Sequence, residues 1–163
     1  MHTKPAPSLK ARAIMWLAQR EHSRLELRDK LLRHARSEAA STDADNEAAP
    51  DIEPLVDQLL DWLEAHHYLS QARFLESRVN ARAARFGNLR IGQELARHGV
   101  ELAPQDALSL KQSELTRARV VWERKFNAVA TDAAGRAKQM RFLAGRGFSA
   151  EVIRRVVKGA NDD

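Results

Sequence analysis

Tyr68-Leu69-Ser70-Gln71-Ala72-Arg73-Phe74 opens the stretch that decides the fold, and Leu89-Arg90-Ile91-Gly92-Gln93-Glu94-Leu95 with Gly99-Val100 closes it. The physical reading is a pair of helices. Ser70 is placed to cap the first, Gly87-Asn88 breaks the chain, and Gly99 just past Leu95 stops the second by a left-handed turn. On the first helix Leu75, Val79, Ala83 and Phe86 share one face, while Arg78, Arg82 and Arg85 line the neighbouring one. Arginines bordering an apolar stripe can pack their stems and still present the guanidinium outward.

Working outward toward the start, Ser8 is placed to cap a helix carrying Leu9, Ala13, Trp16 and Leu17 at core spacing. Ser23 and Glu26 form a capping box ahead of Leu27, Leu31 and Leu32, and this second helix fades at Ala35-Arg36. Ser37 to Pro50 holds no large apolar residue with which to offset ordering entropy, and is expected to be a mobile acidic loop. Beyond it Ile52, Leu55, Val56, Leu59 and Leu63 form a helical stripe, with Pro54 tolerated in the first turn. That helix ends near His66-His67.

Working outward toward the end, Pro104 suits a helix start, and Ala107, Leu108 and Leu110 give that helix something to bury. A separate helix is expected from Leu115, Ala118, Trp122 and Phe126, weakening from Asn127 to Ala134. Ala137, Met140 and Ala144 follow, stopped at Gly147-Phe148, and Ser149 opens a last helix with Val152, Ile153, Val156 and Val157. The count is nine helices, in threes.

Internal register supports the grouping. Ile91-x-x-x-Leu95-x-x-x-Gly99-Val100 and Gln139-x-x-x-Leu143-x-x-x-Gly147-Phe148 share one ending, and Leu27-x-x-x-Leu31-x-x-x-Ala35 shares most of it. Ile52-x-x-Leu55-Val56 likewise matches Ile153-x-x-Val156-Val157. From the stop residue, Ala35 to Ile52 is 17 positions and Gly147 to Ile153 is 6, so the acidic loop is an 11-residue insertion in the first repeat. The expected fold is all-α, with three tandem three-helix repeats over residues 8–67, 68–111 and 112–159. Units of that size have little core of their own, and they should stack into an elongated array.

The net charge of +5 hides a segregation: residues 1–36 carry +6, 37–67 carry −9, 68–110 carry +2 and 111–163 carry +6. The acidic patch is therefore assigned to one segment, and the rest to a basic surface that suits nucleic acid or an acidic protein. No cysteine is present, which removes disulfides, thiolate zinc sites and cysteine nucleophiles together and fits a reducing compartment. The apolar run Ala13 to Ala18 is too short for a signal core, and no segment reaches membrane-spanning length. A soluble cytoplasmic protein is expected.

Catalytic and metal chemistry find no foothold. The seven glycines form no phosphate-cradling motif, and Gly145-Arg146-Gly147 reads as a helix stop. Adjacent His66 and His67 would diverge by about 100° on a helix, which disfavours a shared metal. Glu21, Glu26 and Glu94 read as caps or solvated faces rather than an acid/base pair, so neither an enzyme nor a cofactor is expected. The arginines remain. Arg78, Arg82, Arg85, Arg90 and Arg97 on the central pair, with Arg124, Lys125, Arg141 and Arg146 further on, form the candidate partner-binding face. Arg117, Arg119, Arg136 and Lys138 crowd the same later helices. A basic second helix after a tight turn also fits a helix-turn-helix module, although a dense base-reading set of Asn, Gln and Ser is not obvious.

With these residues laid out, the chain resembles the RecX family of regulators of the RecA recombinase, from Leu9 to Val157. The blocks are Arg20-Glu21-His22-Ser23-Arg24-Leu25-Glu26-Leu27 with Lys30-Leu31, Tyr68-Leu69, Arg73-Phe74, Arg90-Ile91 with Glu94-Leu95, and Gly99-Val100. Arg124-Lys125-Phe126, Lys138, Phe142-Leu143 and Arg146-Gly147-Phe148 complete them. No single block is specific; their order and spacing are. The resemblance implies a curved rod of three-helix repeats that binds RecA filaments as a monomer, inhibits strand exchange and ATP hydrolysis, and binds DNA weakly. It places the chain in recombination, repair and the SOS response. The alternative is a tandem helix-turn-helix DNA-binding protein acting without RecA. The chain departs from the family where Ala35-Arg36 replaces a closing glycine and aromatic, and where Ser70-Gln71 replaces Asp-Asp.

Overall fold

The computed structural model describes residues 7–41 and 51–158. Among them are eight helices: α1 (Leu9–Gln19), α2 (Arg24–Ser41), α3 (Ile52–Ala65), α4 (Gln71–Ala83), α5 (Asn88–Arg97), α6 (Pro104–Phe126), α7 (Ala133–Gly145) and α8 (Ala150–Lys158). The described residues are all-helical, with no strand. Two compact units divide the chain, Met1–Phe74 and Leu75–Asp163.

In the first unit α2 packs against α1 and α3. Ala13, Leu27, Leu31, Val56, Leu60 and Leu63 are fully buried there, with Leu32 and Leu69 beside them. The expected caps are in place. Ser8 accepts the N–H of Ala11 at 3.2 Å, Ser23 that of Glu26 at 3.1 Å, and Ser70 that of Arg73 at 3.3 Å. Leu55 corrects the expected stripe, because it is 48% exposed while Leu60 is buried in its stead.

Two further expectations change in this unit. Helix α2 does not fade at Ala35-Arg36 but runs on to Ser41, so Ser37 to Ser41 belong to a helix rather than to a loop. Nothing in Ser37-Glu38-Ala39-Ala40 breaks a helix, and His34 Nε2 lies 3.1 Å from the Glu38 carboxylate one turn on. The remainder of the expected loop, 42–50, lies outside the described residues. The acidic segment is also not a bare patch. Arg24 reaches Asp61 and Glu64, each at 2.7 Å, Arg28 reaches Asp57 at 2.7 Å, and Arg36 reaches Glu53 at 3.2 Å. The hydrogen bond from Arg28 holds the Asp57 carboxyl below the usual carboxylate range. Opposite charges segregated along the sequence thus meet across the α2–α3 contact.

In the second unit α8 packs against α6 and α7, and α5 against α6. Ala118, Val121, Trp122, Leu143 and Phe148 join Val152, Ile153, Val156 and Val157 in one core. The shared register is the buried one: Ile91, Leu95 and Val100 on α5 and its stop, and Gln139, Leu143 and Phe148 on α7 and its stop, are all at most 4% exposed. Gly99 (φ 67°) and Gly147 (φ 83°) make the left-handed stops. Met140 and Ala144 face outward, correcting the stripe expected on α7.

The ninth helix is absent among the described residues, because Pro104 to Phe126 is one continuous helix. Ser113 does not cap a new start; its hydroxyl donates back to the Leu110 carbonyl at 3.2 Å, and no Gly or Pro interrupts the run. Ala107 and Leu108 are exposed, and only Leu110 of that expected trio is buried.

Candidate interaction site

The site lies within the second unit and starts from two helix stops that dock on each other. The turn after α4 donates the Gly87 N–H to the Arg146 carbonyl at 2.9 Å, and Leu89 donates to the Gly147 carbonyl at 3.0 Å. Contact is so close that a Cβ on Gly87 would lie 2.3 Å from the Gly147 oxygen and from Phe148 backbone atoms. Only glycine fits.

Two charged residues of α6 fasten these turns from below. Glu114 is 4% exposed. Its Oε1 accepts the N–H of Asn88 at 3.1 Å and of Ser149 at 3.2 Å, and its Oε2 accepts the Ser149 hydroxyl at 3.0 Å. One carboxylate therefore caps the start of α5, whose N-cap Gly87 has no side chain to offer, and also engages the residue that opens α8. One turn further on, Arg117 donates to the carbonyls of Ala83 (3.1 Å), Phe86 (2.8 Å) and Leu110 (3.3 Å), and to the Asn88 side chain. Burial pushes its guanidinium below the ordinary value, with the neighbouring Glu114 charge opposing.

The docked turns bring cations from distant parts of the sequence around two phenyl rings. Arg90 lies 4.2 Å from the Phe86 centroid, Arg146 5.6 Å, Arg82 5.7 Å and Arg85 5.8 Å. Phe142 is approached by Lys125 at 4.6 Å and by the same Arg146 at 5.3 Å. Such placements orient the cations. A depression of about 610 Å³ is lined by Arg82, Arg90, Arg97, Gln93, Glu94 and His98, among others. A second, of about 500 Å³, is lined by Arg85, Arg124, Lys125, Phe142 and Arg146.

Of the nine residues assigned from sequence, seven line one of these depressions: Arg82, Arg90 and Arg97 the first, and Arg85, Arg124, Lys125 and Arg146 the second. Arg78 is turned to Glu94 at 3.3 Å, and exposed Arg141 lines neither depression. Sequence reasoning missed Phe86 as the ring on which arginines converge, having placed it in an apolar stripe. It also counted Arg117 among the surface cations. The capless Gly87 ahead of α5 was the available signal that a side chain from elsewhere must satisfy that helix start.

Residues 112–157 match the family model described as RecX, third three-helix domain. The regulatory protein RecX of Herminiimonas arsenicoxydans is 48% identical over 160 residues, covering 96% of this chain and 95% of that protein. The chain belongs to the RecX family. Regulatory protein RecX of Ralstonia nicotianae is 46% identical over 156 residues, covering 94% of this chain and 89% of its own. The crystal structure of RecX from Lactobacillus salivarius superposes with a TM-score of 0.68 at 20% identity, covering 92% of both chains. The three-helix RecX architecture is thus the fold of this chain. The repeat boundary expected at 111/112 falls inside α6.

Proposed function

We propose that this RecX protein binds RecA filaments and lowers RecA's ATP hydrolysis and strand exchange, using the cationic face of its second unit as a contact surface. The supporting observation is the convergence of Arg82, Arg85, Arg90 and Arg146 on the single ring of Phe86. Cations held in place by stacking lose less freedom when an anionic surface arrives, and several shallow contacts suit an extended partner better than a small ligand. The name carried by the relatives, regulatory protein RecX, supports a regulatory role.

Co-sedimentation with preformed RecA filaments, with and without nucleotide, tests this reading. The protein is expected to pellet with nucleotide-loaded filaments and to stay in the supernatant without RecA. Equal retention by bare duplex or single-stranded DNA, with a base preference and no dependence on RecA, would instead favour the helix-turn-helix reading.

A further inference from the structure

Glu94 sits among the cations of the first depression. Its Oε1 lies 3.3 Å from Arg78 Nη1, and Arg82 Nε approaches Oε1 at 3.2 Å and Oε2 at 3.0 Å. The same carboxylate lines the depression alongside Arg90, Arg97 and His98. Glu94 is only half-buried, so its negative charge is sensed by anything that enters.

We infer that Glu94 is a built-in competitor that suppresses direct binding of nucleic-acid phosphate at this depression. Two physical effects act together. A phosphate that approaches Arg82 must take over a hydrogen bond that Glu94 already accepts, and a fixed like charge lies within hydrogen-bonding distance of the same guanidinium. Arg78 and Arg82 of α4 are therefore held by one carboxylate of α5, and the depression offers less positive charge than its arginine content implies. A surface built this way binds a bare polyanion weakly while keeping its cations oriented. The inference rests on the reading of this face as a contact surface, and names what limits one class of ligand there.

The test is anisotropy of a labelled single-stranded oligothymidylate, without RecA, titrated with full-length protein over a series of salt concentrations. Glu94→Gln keeps the shape and one acceptor oxygen but removes the charge. It should bind about five- to tenfold tighter than the parent, with a salt slope steeper by about 0.7 for each arginine released. Glu94→Asp retains the charge and should stay near the parent. Glu123→Gln makes the same change of net charge at an exposed position of α6 that lines neither depression, and should change affinity much less. Unchanged or weaker binding by a folded Glu94→Gln protein would overturn the inference, and so would an equal gain in Glu123→Gln. If Glu94→Gln fails to fold, Glu94→Ser takes its place under the same criteria. No RecA is present, so failure here is distinct from failure of the filament reading.

Discussion

Gly87 and Arg146 belong to different helix stops, yet the Gly87 N–H meets the Arg146 carbonyl at 2.9 Å. That bond and the one beside it, from the Leu89 N–H to the Gly147 carbonyl, dock the two turns, which places the Arg146 side chain beside Phe86 and joins the cations after α4 to those after α7. Gly87→Ala would push a Cβ into backbone at 2.3 Å. Overpacking of this kind costs about 1–3 kcal/mol. In a unit of this size each kcal/mol lowers the melting midpoint by about 4–8 °C. Circular dichroism melting checks it, and a variant that melts with the parent would show that the two turns are not docked.

Glu114 should tolerate loss of charge better than loss of its oxygens. Glu114→Ala strips the acceptor from two main-chain N–H groups and one hydroxyl, and should cost at least about 1–3 kcal/mol. Glu114→Gln retains an oxygen for the two N–H groups, and its new amide can donate to the Ser149 hydroxyl. Urea midpoints should fall clearly for the first variant and only slightly for the second. Equal losses would mean that charge, not capping, is the role of this side chain.

His22 gives the first unit an acid sensitivity. The ring is 1% exposed, its Nδ1 donates to the Arg20 carbonyl at 2.9 Å, and its buried Nε2 has no partner among the described residues. Burial pushes its pKa below the ordinary 6.5, against the opposing pull of that carbonyl; of the charges around it, Arg20 and Lys30 lower it further and Glu26 raises it. The neutral ring is the one that fits, so its contribution is complete above the unfolded pKa and is lost as pH falls below 6.5 through the folded value. The parent should lose stability as pH falls below 6.5, the ordinary histidine value. His22→Asn, which can still donate to the Arg20 carbonyl, should show a shallower slope. Parallel slopes would assign the acid sensitivity to other groups.

How much of this was legible follows from the range over which each feature is determined. Ile91, Leu95 and Gly99 announce a buried row and a left-handed stop by local spacing alone, as do Leu143 and Gly147, and the structure keeps both. The break expected before Leu115 was misread because Leu110 and Leu115 each suit a helix of their own, and only the continuous run without Gly or Pro joins them. Glu114 was illegible because its partners lie 26 and 35 positions away. The cations themselves were legible as charge at helical spacing. Their convergence on Phe86 was not, since Arg146 arrives there only through the docking of two turns far apart in sequence.

The central claim is that the cationic face of the second unit makes the contact with RecA. Arg85, Arg97 and Arg124 are all exposed. Reversing each to Glu should perturb stability by only about 0.5 kcal/mol apiece. The decisive measurement is inhibition of RecA ATP hydrolysis by the Arg85→Glu, Arg97→Glu, Arg124→Glu protein at physiological salt, with its melting curve taken alongside. The expected result is a protein that melts close to the parent and has lost most of its inhibition, because three attractive contacts have become repulsive ones. A triple variant that is folded and inhibits as strongly as the parent would contradict the claim, and would move the contact to another face of the chain.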